Sequence, residues 1–323
     1  MDGKSIYSKS ESIAMTSNPL LSIVIPLFNE VDSLPHLKKA IDTVLEREKI
    51  DTEILFVNDG STDGSDKTID RFASEDSRVK ITHFRRNRGK AAALDTAFRL
   101  AKGKYVITMD ADLQDEPEEI PKFIEKLEEG YDLVSGWKKK RHDPLSKTIP
   151  SKLYNTVARI ISGVKLHDFN CGFKIYRREV LDTIQIYGEL HRFIPILVDA
   201  QGWRVGELEV KHNPRRWGKT KYGISRFLKG FLDMLSVTYI TRFQSSPMYL
   251  FGTIGFIVLL AGSIVLAYLS VGWFMGVSIS GRPLFFLGIL MIIVGLQFFS
   301  LGLLGEMISH MRNAIRPRDD EDV

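Results

Sequence analysis

Residues 243–281 contain no charged side chain, and after the single Arg282 the stretch 283–305 is again uncharged until Glu306. A bilayer core of about 30 Å takes roughly 20 apolar residues as helix, so each stretch is long enough to cross once. Two buried helices of a soluble protein is the competing reading. Basic residues flank the outer ends: Arg242 precedes the first stretch and Arg312, Arg316 and Arg318 follow the second, against Arg282 alone between them. That asymmetry predicts a two-helix membrane domain over 244–310, with a tail at 311–323 and both termini on the cytoplasmic side.

The chain has 323 residues and a formal net charge of +4, enough length for one large domain or two smaller ones. A general nucleic-acid binder is not indicated, because the basic residues are clustered and their total is modest. A lone cysteine, Cys171, rules out an intramolecular disulfide framework and fits folding in a reducing compartment. Residues 1–20 are polar and serine-rich, without the apolar core of a secretory signal, and are expected to be a disordered lead-in.

Between these ends, the apolar runs LSIVIPLF, TEILFVND, VKITHF, KYVITMD and YDLVSGW alternate with amphipathic stretches. Leu34, Leu37, Ile41 and Leu45 recur at helical spacing, as do Leu94, Ala97, Phe98 and Ala101. The alternation predicts an α/β domain over 21–223 with a mostly parallel, helix-covered sheet, less regular beyond residue 136. Residues 224–243 are expected to form an amphipathic helix beside the membrane. In open sheets of this kind ligands collect beyond the carboxyl ends of the strands, and there the sequence turns polar: PLFNE, NDGSTDGS and DADLQDEPEE.

Asp110 and Asp112 end the KYVITMD run one residue apart. Two carboxylates so placed can hold a hard divalent ion such as Mg²⁺ or Mn²⁺, shared with the phosphates of a nucleoside diphosphate. Asp115, Glu116, Glu118 and Glu119, nearer the next helix, read as its capping and solvating acids. Asp59 can accept hydrogen bonds from a base or ribose, while Ser61, Thr62 and Asp63 read as cap and turn residues. Gly89 and Lys90 precede an alanine-rich helix, a plausible phosphate or base contact.

In order along the chain, SIVIPLFNE, VNDGSTDGS, RNRGKAAAL, MDADLQDEPE, DFNCGFKIYRRE and GWRVGELEVKHNPRRWGKTKY, followed by paired terminal spans, resemble the family 2 glycosyltransferases of GT-A fold. The match is nearest to the membrane-bound polyprenyl-phosphate glycosyltransferase group. By that resemblance Pro26, Phe28, Glu30 and Asp59 would hold the nucleoside, with Lys90 nearby, and Asp110, Asp112 and Gln114 would hold the metal and diphosphate. Asp168 would be an acidic active-site residue, and Arg215, Lys219 and Lys221 a basic loop over the diphosphate with Gly218 as its flexible point. Lys138, Arg141, Lys147 and Ser151 would receive the acceptor phosphate. Val205 stands where processive synthases carry tryptophan, which argues against polysaccharide extrusion.

The resemblance implies transfer of one sugar, UDP-glucose favoured as donor and GDP-mannose second, to a polyprenyl phosphate at the cytoplasmic face of a bacterial inner membrane. Two rivals belong to other classes. A non-catalytic membrane scaffold is opposed by the intact acids at 59, 110, 112 and 168. A lipid flippase is opposed by spans with neither a charged nor a Gly/Pro-broken interior, although a homo-oligomer could supply more helices.

Overall fold

The computed structural model describes residues 18–139, 155–213, 225–243 and 246–315. Arg141, Lys147, Ser151, Arg215, Gly218, Lys219 and Lys221 lie outside the described residues. The chain divides into two compact units, one ending at Asp233 and the other beginning at Met234.

The first unit is built on seven strands: β1 (Leu21–Leu27), β2 (Thr52–Asn58), β3 (Val79–His83), β4 (Tyr105–Thr108), β5 (Leu133–Trp137), β6 (Lys174–Arg177) and β7 (Val205–Glu209). Their order across the sheet is β3-β2-β1-β4-β6-β5-β7. Every pairing is parallel except the two made by β6, so the sheet is mostly parallel, as the alternating pattern predicts. β1 and β2 read as nearly unbroken apolar runs because helices cover both faces of the sheet. The helices α1 (Leu34–Glu48), α2 (Ser65–Glu75), α3 (Lys90–Leu100) and α4 (Ile120–Glu128) follow β1 to β4 in turn. All four apolar positions read at helical spacing in α1 are buried, and Phe123 of α4 packs on Phe173 with ring centroids 4.5 Å apart. Burying a side chain of that size contributes about 1.5–3 kcal/mol.

Pairing starts before residue 21, since the carbonyls of Pro19 and Leu20 accept from Lys104 N and Tyr105 N at 3.0 Å. The strand that the apolar pattern hides is β6. Its residues KIYR carry two cations, yet it lies between β4 and β5 with Lys174 only 3% exposed.

The side to which successive strands are added reverses at β1. β2 and β3 extend to one side and β4 lies on the other, which opens a crevice at the carboxyl ends of β1 and β4. β6 runs the opposite way, so its start faces that same edge, opposite Thr108.

In the second unit α6 (Pro247–Phe274) and α7 (Pro283–Ile315) pack on each other. At 1.5 Å per residue the 28 residues of α6 extend about 42 Å, more than a bilayer core. Both helices are long and apolar enough to cross a membrane and keep most of their surface exposed. Gly255, Gly262 and Gly295 let the backbones approach: a Cβ at 255 would stand 2.8 Å from Gly295 O, and one at 295 would stand 2.8 Å from Leu259 N. Glu306 Oε2 accepts from Met248 N at 3.3 Å, giving one of the orphan N–H groups at the start of α6 a partner. Before this pair, α5 (Ser225–Thr238) is followed by a π-helical turn over Tyr239–Phe243.

Candidate active site

The loop after β1 and the loop after β2 are stitched together. Asn29, held at φ 55°, donates its backbone N–H to Ser61 Oγ at 2.9 Å and accepts from Thr62 N at 2.8 Å. Glu30 N donates to Ser65 Oγ, and Val31 N to Asp63 Oδ2. Ser61 and Asp63 therefore do more than shape their own turn: they fix the backbone beside Phe28 and Glu30. Just before them Gly60 sits at φ 73°, where a Cβ would be 2.6 Å from Arg86 C, so no larger residue fits.

Asp59 is buried and fixes a third segment. Its two carboxylate oxygens accept from Arg88 N at 2.6 Å and Gly89 N at 3.0 Å, tying down the turn that enters α3. The first residue of α3 is Lys90, and its ammonium pairs with Asp110 Oδ1. Burial would raise the pKa of Asp110, but the charge and hydrogen bond of Lys90, with the charge of Lys138 adding to them, bring it down to about 2. The carboxylate rests against Gly172, where a Cβ would stand 2.7 Å from Oδ2. Thr108 Oγ1 donates to Gly172 O at 2.7 Å, which holds that glycine in place.

Asp112 follows, 9% exposed, with Oδ1 accepting from Gln114 N at 3.2 Å across Leu113, itself at φ 58°. Gln114 is tied to the end of the sheet: its carbonyl accepts from Asn213 N and its Nε2 donates to Asn213 O. Asp168 is buried, accepts from Asn170 N at 3.1 Å, and its own N–H donates to Glu207 Oε1. Beneath it Lys174 donates to the carbonyls of Phe169 and Cys171, and burial lowers its pKa.

The acids expected to cap and solvate α4 divide differently from that expectation. Asp115 is 1% exposed and pairs with Lys138 at 2.6 Å; Glu119 is 2% exposed and pairs with Lys122 at 2.8 Å. Glu118 is exposed and pairs with Arg47, and Glu116 accepts from Asn213 Nδ2. Lys138 accordingly points inward, its side chain 12% exposed. Burial opposes its charge most strongly, but the charge and hydrogen bond of Asp115, with Asp110 adding to them, together hold the lysine above its ordinary range. Two residues of this region had no role read for them in the sequence: Gly172, which makes room for Asp110, and His191, whose half-buried imidazole lies within the field of Asp110 and Lys90. Glycine beside a carboxylate leaves no periodic signal, and a single histidine in a loop leaves none either.

The residues around Asp110 fit a divalent ion. Asp110 and Asp112 offer hard oxygen ligands, and among the described residues no third acid, histidine or cysteine joins them. A site with two protein carboxylates is completed by substrate phosphates and water, the usual arrangement for Mg²⁺ and Mn²⁺.

A parallel sheet that gathers three loops and a pair of acids at its switch point is the frame of the GT-A glycosyltransferases, and solved structures bear this out for the fold. Glucosyl-3-phosphoglycerate synthase from Mycobacterium tuberculosis, solved with Mn²⁺, uridine diphosphate and phosphoglyceric acid, superposes with a TM-score of 0.54 at 16% identity, over 69% of this chain and 78% of that one. Residues 22–185 match the model of Glycosyl transferase family 2, and the chain belongs to that family. It is similar to the dodecaprenyl-phosphate galacturonate synthase of Rhizobium johnstonii, 35% identical over 309 residues, covering 93% of this chain and 91% of the relative. It also resembles the undecaprenyl-phosphate 4-deoxy-4-formamido-L-arabinose transferase of Aeromonas hydrophila, 35% identical over 308 residues, covering 94% and 92%.

Proposed function

We propose that this glycosyltransferase moves one sugar from a nucleoside diphosphate donor to a polyprenyl monophosphate at the cytoplasmic membrane surface, with its catalytic domain and both termini on that side. The observation that carries the reading is one chain holding both the Asp110–Asp112 pair at the sheet's switch point and two apolar helices of membrane length. The relatives named for transfer to dodecaprenyl and undecaprenyl phosphate match over nearly the whole chain, helices included, and support it.

In this reading Pro26, Phe28 and Glu30 line the nucleoside site, and Asp59 shapes it by holding the backbone of Arg88 and Gly89. Asp110, Asp112 and Gln114 hold a divalent cation, Mg²⁺ or Mn²⁺, which supplies charge stabilisation for the departing diphosphate. Arg215 and Lys221 add positive charge from the basic loop. A lipid phosphate oxygen attacks the anomeric carbon in line, its new bond to carbon forming as the bond to the diphosphate oxygen breaks, and configuration inverts. That oxygen is already anionic at neutral pH, so Asp168 orients rather than deprotonates. Lys138 is committed to Asp115, which leaves Arg141, Lys147 and Ser151 as the acceptor-phosphate residues.

Galacturonate and 4-deoxy-4-formamido-L-arabinose, the sugars in the relatives' names, precede UDP-glucose and GDP-mannose as donor candidates. The test is a screen of radiolabelled nucleotide sugars against polyprenyl phosphate with the full-length protein in liposomes. A chloroform-extractable, inverted glycolipid whose formation stops on chelation and resumes with Mg²⁺ or Mn²⁺ is expected. Absence of product with every donor, or a product of retained configuration, defeats the reading; lipid flux without donor would favour a flippase.

A further inference from the structure

Asn58 and His83 end β2 and β3 side by side, paired in the register of the two strands. Asn58 is buried, and its Oδ1 accepts from Ser61 N at 2.9 Å. A backbone N–H only donates, so the atom turned toward it has to be the amide oxygen. That leaves Nδ2 facing His83 Nδ1 at 3.1 Å. An amide nitrogen also only donates, so Nδ1 carries a lone pair and the ring keeps its proton on Nε2. Nε2 in turn donates to Asp70 Oδ1 of α2 at 3.1 Å, a partner that selects this tautomer. Each donor in the series meets one acceptor, from Asp70 on the surface to the turn at Ser61.

From Ser61 the series enters the loop after β1. Ser61 Oγ accepts from Asn29 N and Asn29 Oδ1 accepts from Thr62 N, bonds that hold Asn29 in its left-handed conformation between Phe28 and Glu30. A residue other than glycine at positive φ persists only where its surroundings fix it. His83 bonds to Asn58 and Asp70, so its influence on the loop passes through the Asn58 amide. We propose that His83 is a positioning residue for the donor's nucleoside: its Nδ1 lone pair fixes the Asn58 amide, which fixes the turn that shapes the wall at Phe28 and Glu30. This rests on the nucleotide-sugar reading above. Consecutive residues at the end of β2 then serve two segments, Asn58 the loop after β1 and Asp59 the entry to α3.

Asparagine at 83 keeps an acceptor oxygen near the Nδ1 position, and leucine keeps bulk without one. Both lose the bond to Asp70, so the difference between them reads the bond to Asn58 alone. The affinities of wild type, H83N, H83L, N58A and the N58A/H83L double variant, as full-length protein in detergent with Mn²⁺, are measured for UDP, GDP, UMP and GMP. For whichever base wild type binds, H83L is expected to lose about fivefold in affinity and H83N less than about twofold, by the same factor for the monophosphate and the diphosphate. In the N58A background H83L is expected to add nothing, because its route to the loop is gone. The assignment is overturned if H83L binds as wild type does, if H83N is as weak as H83L, or if the two losses add in the double variant. It is overturned equally by a loss confined to the diphosphates, which would put the defect at the metal end. Thermal melts identify any variant that fails to fold; should N58A be one, H83N against H83L decides, since His83 is exposed at the end of an edge strand. A wild type that binds no nucleotide overturns the functional reading and this inference together, an outcome distinct from nucleotide binding that is indifferent to residue 83.

Discussion

At Gly172 in the globular unit the missing side chain makes room for the Asp110 carboxylate, whereas at Gly255 and Gly295 in the helix pair it makes room for another backbone. A carboxylate is the free end of a side chain and can move; a helix backbone cannot move without its whole helix. Intrusion at the first site should therefore misplace chemistry and leave the fold intact, and intrusion at the second should disturb packing and leave the chemistry intact. The two units also treat charge in opposite ways. The globular unit buries Asp59, Asp112, Asp115, Asp168 and Lys174 and meets them with backbone groups or ion pairs. The helix pair is uncharged from 243 to 305 apart from Arg282.

The largest effect expected is at the acids themselves. Asp112→Ala should lower glycolipid formation at least about a hundredfold with an unchanged thermal melt, and full activity in that variant would remove Asp112 from the metal site. Gly172→Ala sharpens the contrast: the new Cβ pushes the Asp110 carboxylate aside, and a displacement near 1 Å costs about 10- to 100-fold in rate. Its melting temperature should stay close to wild type, while Gly60→Ala, opposed by the backbone of Arg86 and by a positive φ, should melt earlier. If Gly172→Ala loses stability as Gly60→Ala does, the distinction between room for a side chain and room for a backbone fails at that site.

For the helix pair, Gly255→Leu should destabilise the packed helices by about 1–3 kcal/mol, read by denaturation in detergent, with nucleotide affinity unaltered. Loss of nucleotide binding in that variant would break the separation of roles. The smallest effect concerns Cys171, whose thiol burial pushes up to about 12. Alkylation of the native protein at pH 8 should be slow and should become fast on unfolding. A thiol raised on folding stabilises the protein below its unfolded pKa, so part of the stability should fade as pH rises from about 9 toward 12.

Much of this was legible in the sequence where the signal is periodic. β1 to β5 stand where the apolar runs stand, α1 and α3 bury the residues read at helical spacing, and the polar loops at the strand ends meet at one edge of the sheet. Legibility stopped where meaning depends on a distant partner. Asp115 read as a solvated helix acid because Lys138, which neutralises it, lies twenty-three residues away and reaches it only in the folded sheet. β6 escaped notice because Lys174 and Arg177 look like surface residues until the strand is inserted between two others. His191 carried no pattern at all; what distinguishes it is a ring nitrogen without a hydrogen bond among the described residues, a property that exists only once neighbours close around it.

The bond from Met248 N to Glu306 bridges residues fifty-eight positions apart. During synthesis the first apolar helix emerges before the residue that completes its opening turn has been made. The hairpin is thus finished from its far end, when the carboxylate at the foot of the second helix arrives beside the first residues of the first. Truncation before Glu306 would leave both helices able to form and the pair unfastened at its open end.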